Sequence, residues 1–145
     1  MARYSFGMRS TVAGTSARAH MSLFAVAGSG ATLREVGVCN TTTTAFATGL
    51  IRFTNATGVG AGQTEGEYDE NLPPPLSTVF AGHTADGGTG QVLRQWSIGA
   101  AIGSGVIWTF GDRGLTIALG TANGIGPHVP TGTGQIGDDY FDWDE

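Results

Sequence analysis

Short runs of alternating apolar and polar residues, separated by turn residues, recur along the whole chain. Alternation places successive side chains on opposite faces of an extended strand. Many such runs at close spacing are typical of a β-sandwich or barrel. The pattern therefore predicts an all-β domain of eight or nine strands, a β-sandwich of jelly-roll or Greek-key type, with helix below about 10%. The segments are Arg3 to Met8, Ala19 to Ala27, Thr32 to Cys39, Phe46 to Thr54, Leu76 to Ala81, Leu93 to Ile98, Ala100 to Phe110, Leu115 to Leu119 and Gln135 to Trp143.

Two segments stand out inside a single predicted domain, residues 1–145. Residues 55–75 form the longest stretch without alternation, and Pro73-Pro74-Pro75 within it favours a short polyproline II turn over a central strand. A loop of this length in a small domain is often functional. Residues 1–9 form the second segment, which we interpret as an extended N-terminal arm or as the first strand of the chain's own sheet. Residues 120–134 are rich in turn residues, and Asn123-Gly124 is a hairpin candidate.

Thirteen aromatic residues are spread along the predicted strands, which is the distribution of a sheet core. The single cysteine, Cys39, is predicted to be a buried strand thiol, and it excludes an internal disulfide or a thiolate zinc site. The aromatic residues predicted to form the core are Phe24, Phe46, Phe53, Trp96, Trp108 and Phe110.

Charge is scarce and asymmetric. Charged residues make up 13% of the 145 residues, and the basic residues are seven arginines with no lysine. The net charge is −5, and no basic stripe of the kind that binds nucleic acid is present. No apolar run is long enough to span a membrane as a helix, and the first residues do not form a secretory signal. The composition favours contact with other proteins, because interface cores are depleted in charge.

Motifs for catalysis or cofactor binding are weak. Gly132 to Gly137 matches the glycine pattern of dinucleotide sites, but the helix and the acidic residue that such a site needs cannot follow so close to residue 145. A Walker loop requires lysine, and the chain has none. His20, His83 and His128 lie in unlike contexts, and we expect each to be a surface or turn histidine. The sequence therefore predicts no enzyme, no cofactor and no metal site.

The final segment carries carboxylates at alternate positions. Five of the twelve acidic residues lie between Asp138 and Glu145. In a strand, Asp138, Asp142 and Asp144 share one face, and Asp139 faces the other side with Phe141 and Trp143. Neighbouring carboxylates repel one another, so we expect them to be solvated or paired with arginine across an interface; a site for a hard cation such as calcium is the alternative.

Several segments resemble small virion proteins of tailed bacteriophages. The resemblance lies in Leu33 to Thr43 (LREVGVCNTTT), in Val106 to Gly111 (VIWTFG), and in Thr131 to Gln135 with the ending Trp143-Asp144-Glu145. It covers most of the chain in order and contains no catalytic motif. It implies a β-sandwich capsid decoration (cement) protein that binds the major capsid protein as a homotrimer at three-fold positions. The implied location is the capsid surface of the virion, after synthesis in the host cytoplasm.

The basic start of the chain is the predicted partner-binding segment. Tyr4, Phe6 and Met8 share one face of an extended segment, and Arg3 and Arg9 can pair with carboxylates of a neighbouring copy or of the capsid. A tail or fibre-base component that docks on another virion protein or a host glycan is the alternative function. A small hydrolase or sugar-binding module is a third possibility, and the Gly-, Thr- and Pro-rich loops argue against it.

Overall fold

The structure is a computed structural model that describes residues 1–10, 18–56, 58–85 and 89–145. These residues contain twelve β-strands. These residues contain no helix, so none that could cross a membrane. The predicted all-β class is confirmed, with more strands than predicted because several are very short. The strands are β1 (Arg3–Arg9), β2 (Met21–Phe24), β3 (Ala31–Asn40), β4 (Phe46–Phe53), β5 (Ala61–Gly62), β6 (Gly66–Glu67), β7 (Thr78–Ala81), β8 (Thr89–Ile98), β9 (Gly105–Thr109), β10 (Leu115–Ile117), β11 (Gly124–His128) and β12 (Gly137–Asp144).

The strands form two antiparallel sheets. The first sheet has the order β10-β3-β12-β1-β6, and β9 pairs with β3 further along the same strand. The second sheet has the order β5-β7-β2-β11-β4-β8. Consecutive strands alternate between the sheets for most of the chain, so side chains from both sheets meet in the interior.

The topology is that of an eight-stranded jelly roll. When the short strands β5, β6 and β7 are set aside and β9 with β10 is counted as one interrupted strand, the first sheet is β9/10-β3-β12-β1 and the second is β2-β11-β4-β8. The chain changes sheet at every connection among these strands except the one from β4 to β8. The sandwich prediction is confirmed, and of the two orders that the sequence left open, jelly roll or another Greek key, the strands follow the jelly roll.

The main hydrophobic core lies between the two sheets. Phe141 and Trp143 of β12 are fully buried there, and Trp108 of β9 joins them, while Phe110 packs against its margin. A smaller cluster, formed by Ala19, Phe24, Ile51, Phe53 and Val59 with Phe80 against it, is separate from the main core. A third cluster joins Val38, Phe46 and Ile98.

The core prediction was wrong for Trp96, whose side chain is 54% exposed. Trp96 pairs with Thr48 of β4, but β8 is the last strand of its sheet. On such an edge strand, a side chain can follow the alternation of core positions and still lie beyond the cover of the opposing sheet.

The turn-rich interpretation of residues 120–134 was also wrong in part, because β11 is a central strand of the second sheet. Asn123-Gly124 does not close a hairpin; it leads from the first sheet into β11. Pro127 lies beyond the two β11 residues that pair with β2, and it still takes part in pairing through its carbonyl oxygen, which accepts from the His20 N–H at 3.0 Å. Gly126 is required by close approach, since a Cβ there would lie 2.2 Å from the carbonyl oxygen of Met21.

Candidate interaction surface

The predicted partner-binding segment forms strand β1 of the chain's own sheet. It pairs with β12 over its whole length, from Arg3 opposite Asp144 to Arg9 opposite Asp138. Tyr4 is buried and its ring lies 5.9 Å from that of Trp143, while Phe6 and Met8 pack against the main core. Tyr4, Phe6 and Met8 share one face as predicted, but that face packs against this chain's own interior. Residues 1–9 therefore match the interpretation as the first strand of the chain's own sheet, and not as an extended arm.

The arginines of β1 pair with the C-terminal carboxylates of the same chain. Arg9 Nε lies 2.7 Å from Asp138 Oδ1, and Arg3 Nε lies 2.8 Å from Asp144 Oδ1. Arg34 Nε lies 2.5 Å from the other oxygen of Asp144. Burial of Asp144 acts to raise its pKa, but the hydrogen bonds and charges of the two arginines outweigh it, so the pKa is lowered. Asp138 and Asp144 are paired with arginine as predicted, but the pairs lie within one chain and not across an interface.

The three histidines are buried, so their assignment to the surface was wrong. His20 Nδ1 lies 3.1 Å from Asp139 Oδ2 in the interior, and the His20 ring stacks on Phe46. His128 Nδ1 lies 2.8 Å from the carbonyl oxygen of Gly49. These contacts join strands and loops that are distant in sequence, which local pattern cannot reveal.

Ser22 and His83 form the contact that most resembles a catalytic pair. Ser22 Oγ lies 2.7 Å from His83 Nε2, and His83 stacks on Phe53. Both residues are buried, which leaves a substrate no access to the hydroxyl. The buried carboxylate that could complete a catalytic triad, Asp139, contacts His20 and not His83. Burial, with a smaller effect from His20, lowers the pKa of His83 to about 4, so the imidazole is neutral at pH 7. The pair is structural.

Cys39 and the carboxylates offer no reactive or metal-binding cluster within the described ranges. Cys39 lies in β3 and is partly buried, and burial raises the pKa of its thiol. No group of three or more histidine, cysteine or acidic side chains is placed to hold a metal ion among these residues. Asp142 accepts a hydrogen bond from the Tyr68 hydroxyl at 2.9 Å.

One lateral edge of the sandwich, which we call the covered edge, is closed by the long loop 55–75 and the residues that follow it. β6 pairs with β1, and β5 pairs with β7. The Tyr4 hydroxyl donates to the carbonyl oxygen of Pro73 at 3.0 Å, and the carboxylate of Glu145 accepts from the backbone N–H groups of Leu76 and Ser77, each at 2.8 Å. The loop is therefore built into the fold, and it protects strand edges that would otherwise be open.

The opposite lateral edge, the open edge, consists of β8, β9 and the loop 99–104 between them. Within the described parts of the chain, β8 pairs only with β4 and β9 only with β3. Between Gln91 and Ser97, every side chain except Leu93 is exposed, so both faces of this part of β8 meet solvent. Large apolar side chains lie exposed along this edge: Val92, Trp96, Ile102 and Ile107. A long exposed edge of this kind is a ready site for association.

The loop that presents Ile102 is held by an internal hydrogen-bond network. The fully buried Asn40 side chain donates to the carbonyl oxygens of Thr44 and Gly99 at 2.8 and 2.9 Å. The backbone N–H of Gly103 donates to the Asn40 carbonyl oxygen at 2.8 Å, and Gly103 has a φ of +83°. Ser104 Oγ lies 2.7 Å from the carbonyl oxygen of Gly99. Ile102, 71% exposed, is thus displayed on a fixed turn.

Sequence reasoning identified neither edge. Trp96 was assigned to the core, and Ile102 and Ile107 carried no signal beyond their strand and turn pattern. The one usable signal is the charge distribution, since residues 89–111 contain Arg94 as their only charged residue.

Comparisons of the chain with protein-family models, with curated proteins and with solved structures found no match.

Proposed function

We propose that this chain is a non-enzymatic structural protein of a tailed-phage particle, a decoration protein that binds the major capsid protein and stabilises the head lattice as a trimer. The observation that carries the proposal is the open edge. Trp96 is more than half exposed on a strand whose outer side no described strand pairs, and three further apolar side chains lie exposed along the same edge. Tryptophan at the centre of a weakly charged surface is typical of a binding hot spot.

The rest of the molecule supports a structural role. The polar clusters that resemble catalytic groups are buried and serve packing, as the Ser22–His83 and His20–Asp139 contacts do. Jelly rolls occur in viral capsid proteins, and also in lectins and cupins, so the fold permits the proposal without deciding it. The residues that resemble phage virion proteins supply the choice of partner.

The test is to locate the protein on purified particles and to restore it to particles that lack it. Labelled protein should bind heads at a fixed number of copies per three-fold position and raise the temperature at which the heads open. Trp96→Ser should bind heads more weakly, by at least about tenfold, because a chain that assembles poorly makes fewer simultaneous contacts with the head. Leu76→Ser, which changes a comparably exposed apolar side chain at the covered edge, is the matched control. Label found only on tails would contradict the head assignment and favour the tail alternative.

A further inference from the structure

We infer that the open edge is where copies of this chain bind one another, so that the occupant of β8, β9 and the loop 99–104 is a second copy of the same protein. This deepens the proposed function, on which the expected trimer rests. The self-association itself is carried by three features of the open edge: its charge, its extent and its rigidity.

Charge distinguishes the open edge from the rest of the chain. Residues 89–111 contain one arginine and no acidic residue, a formal charge of +1. The whole chain carries −5, so the remainder carries −6 (−5 minus +1). Two copies that meet through other faces bring acidic surfaces together, whereas copies that meet here do so through nearly neutral surfaces. Electrostatic repulsion between identical acidic chains therefore favours this edge as their contact.

The open edge offers one continuous exposed surface for a contact of modest size. Fourteen residues between Gln91 and Thr109 are exposed, whereas a standard interface involves about 20–30 residues on each side. A contact of this size depends on its strongest anchor. Trp96 is the natural anchor, because Trp108 and Trp143 are already buried in the chain's own core.

Strand geometry limits where backbone pairing can occur. The register of β8 against β4 shifts between Leu50 and Ile51 and again between Ile51 and Phe53, which disturbs the first half of β8. The second half, Arg94 to Ile98, pairs regularly with Leu50 to Phe46. A bulged strand is a poor template for a new strand and a regular one is a good template. Pairing with a second copy is therefore centred on Trp96, and a closed trimer forms when β8 of each copy meets β9 of the next copy.

Rigidity lowers the entropic cost of association. The Asn40 and Gly103 hydrogen bonds hold Ile102 in one arrangement before any partner is present. Ordering of a flexible loop would otherwise oppose binding. An exposed isoleucine on a turn built this firmly is suited to contact with a partner.

The experiment measures molar mass and tryptophan fluorescence of the full chain from micromolar to near-millimolar concentration. We expect a closed oligomer, and a blue shift of emission as Trp96 leaves water. The double variant Trp96→Ser/Ile107→Ser should dissociate at least about ten times more readily, as measured by molar mass. Ile107→Ser alone keeps the Trp96 fluorophore and should show a weaker blue shift at the same concentration. Leu76→Ser, changed at the covered edge, should associate as the wild type does. A far-UV spectrum establishes that each variant is folded.

Two results would overturn the inference. One is a wild-type chain that stays monomeric over the whole range, and the other is a double variant that is folded and associates normally. If the wild type is monomeric and Trp96→Ser fails to bind heads, the open edge belongs to the capsid protein instead. An oligomer that depends on Trp96 but does not bind particles would support the inference and contradict the proposed function.

Discussion

At the scale of the residue, several polar side chains of this fold are buried, where they connect separate strands and loops. Three buried histidines hold parts of the chain together, and Asp144 is shared by Arg3 and Arg34. His83 is accepted in the interior as the neutral imidazole, because burial lowers its pKa, and its Nε2 shares a hydrogen bond with the Ser22 hydroxyl. Protonation of His83 must therefore oppose folding.

The pH dependence of His83 gives the first prediction. Its pKa is about 4 in the fold and 6.5 in the unfolded chain, so the unfolded state binds more protons between these values. Stability should therefore fall as the pH is lowered from 6.5 to 4, by roughly 3 kcal/mol in total from this group. Urea unfolding at a series of pH values measures the slope.

His83→Gln should flatten that slope while keeping a hydrogen-bond partner for Ser22. Asp138→Asn is the control, because Arg9 lowers the pKa of Asp138 and its contribution is lost only as the pH falls below about 4. Asp144, whose pKa is also lowered, belongs to this lower window. A slope that is unchanged in His83→Gln would show that other groups govern acid stability.

At the scale of the element, the alternating pattern predicted most strands and their faces. It failed where a neighbouring strand determines whether a segment pairs or whether a side chain is buried. In β12, alternation placed Asp139, Phe141 and Trp143 on one shared face, and in the structure that face is the buried one. β11 was missed because Gly126 and Pro127 read as turn residues, although contact with Met21 requires the glycine. Trp96 shows the converse failure, since only the position of β8 at the edge of its sheet exposes it.

Strand β1 gives the prediction at this scale. Deletion of residues 2–9 removes a strand that pairs with β12 over seven residues and buries Tyr4. We expect the truncated chain to lose cooperative unfolding, because the core is left open along β12. Near-UV circular dichroism and thermal unfolding provide the measurement.

Arg9→Gln is the matched control, since it removes only an exposed ion pair and should leave the fold intact. A truncated protein that folds normally would show that the segment is dispensable to the sandwich. The N-terminal arm interpretation would then regain its place, with Arg3, Tyr4, Phe6, Met8 and Arg9 as its binding residues.

At the scale of the whole molecule, the two lateral edges of the jelly roll are treated differently. The covered edge is closed by the chain's own long loop, which hydrogen bonds fasten to β1 and to Glu145. The open edge has no such cover from the described residues, and Trp96 is left in water. The covered edge should therefore govern stability, and the open edge should govern association.

Glu145 separates these two roles and gives the last prediction. Its carboxylate accepts hydrogen bonds from Leu76 and Ser77 and from the Trp143 indole N–H at 3.2 Å, so Glu145→Ala leaves several donors without a partner. We expect a loss of about 1–3 kcal/mol in the free energy of unfolding, measured in urea, with unchanged oligomeric mass. Glu70→Ala, an exposed acid of the same loop, is the control and should change neither quantity. If Glu145→Ala instead weakens association and leaves the unfolding free energy unchanged, the contact between copies lies at the covered edge. The assignment of stability to the covered edge and of association to the open edge would then be wrong.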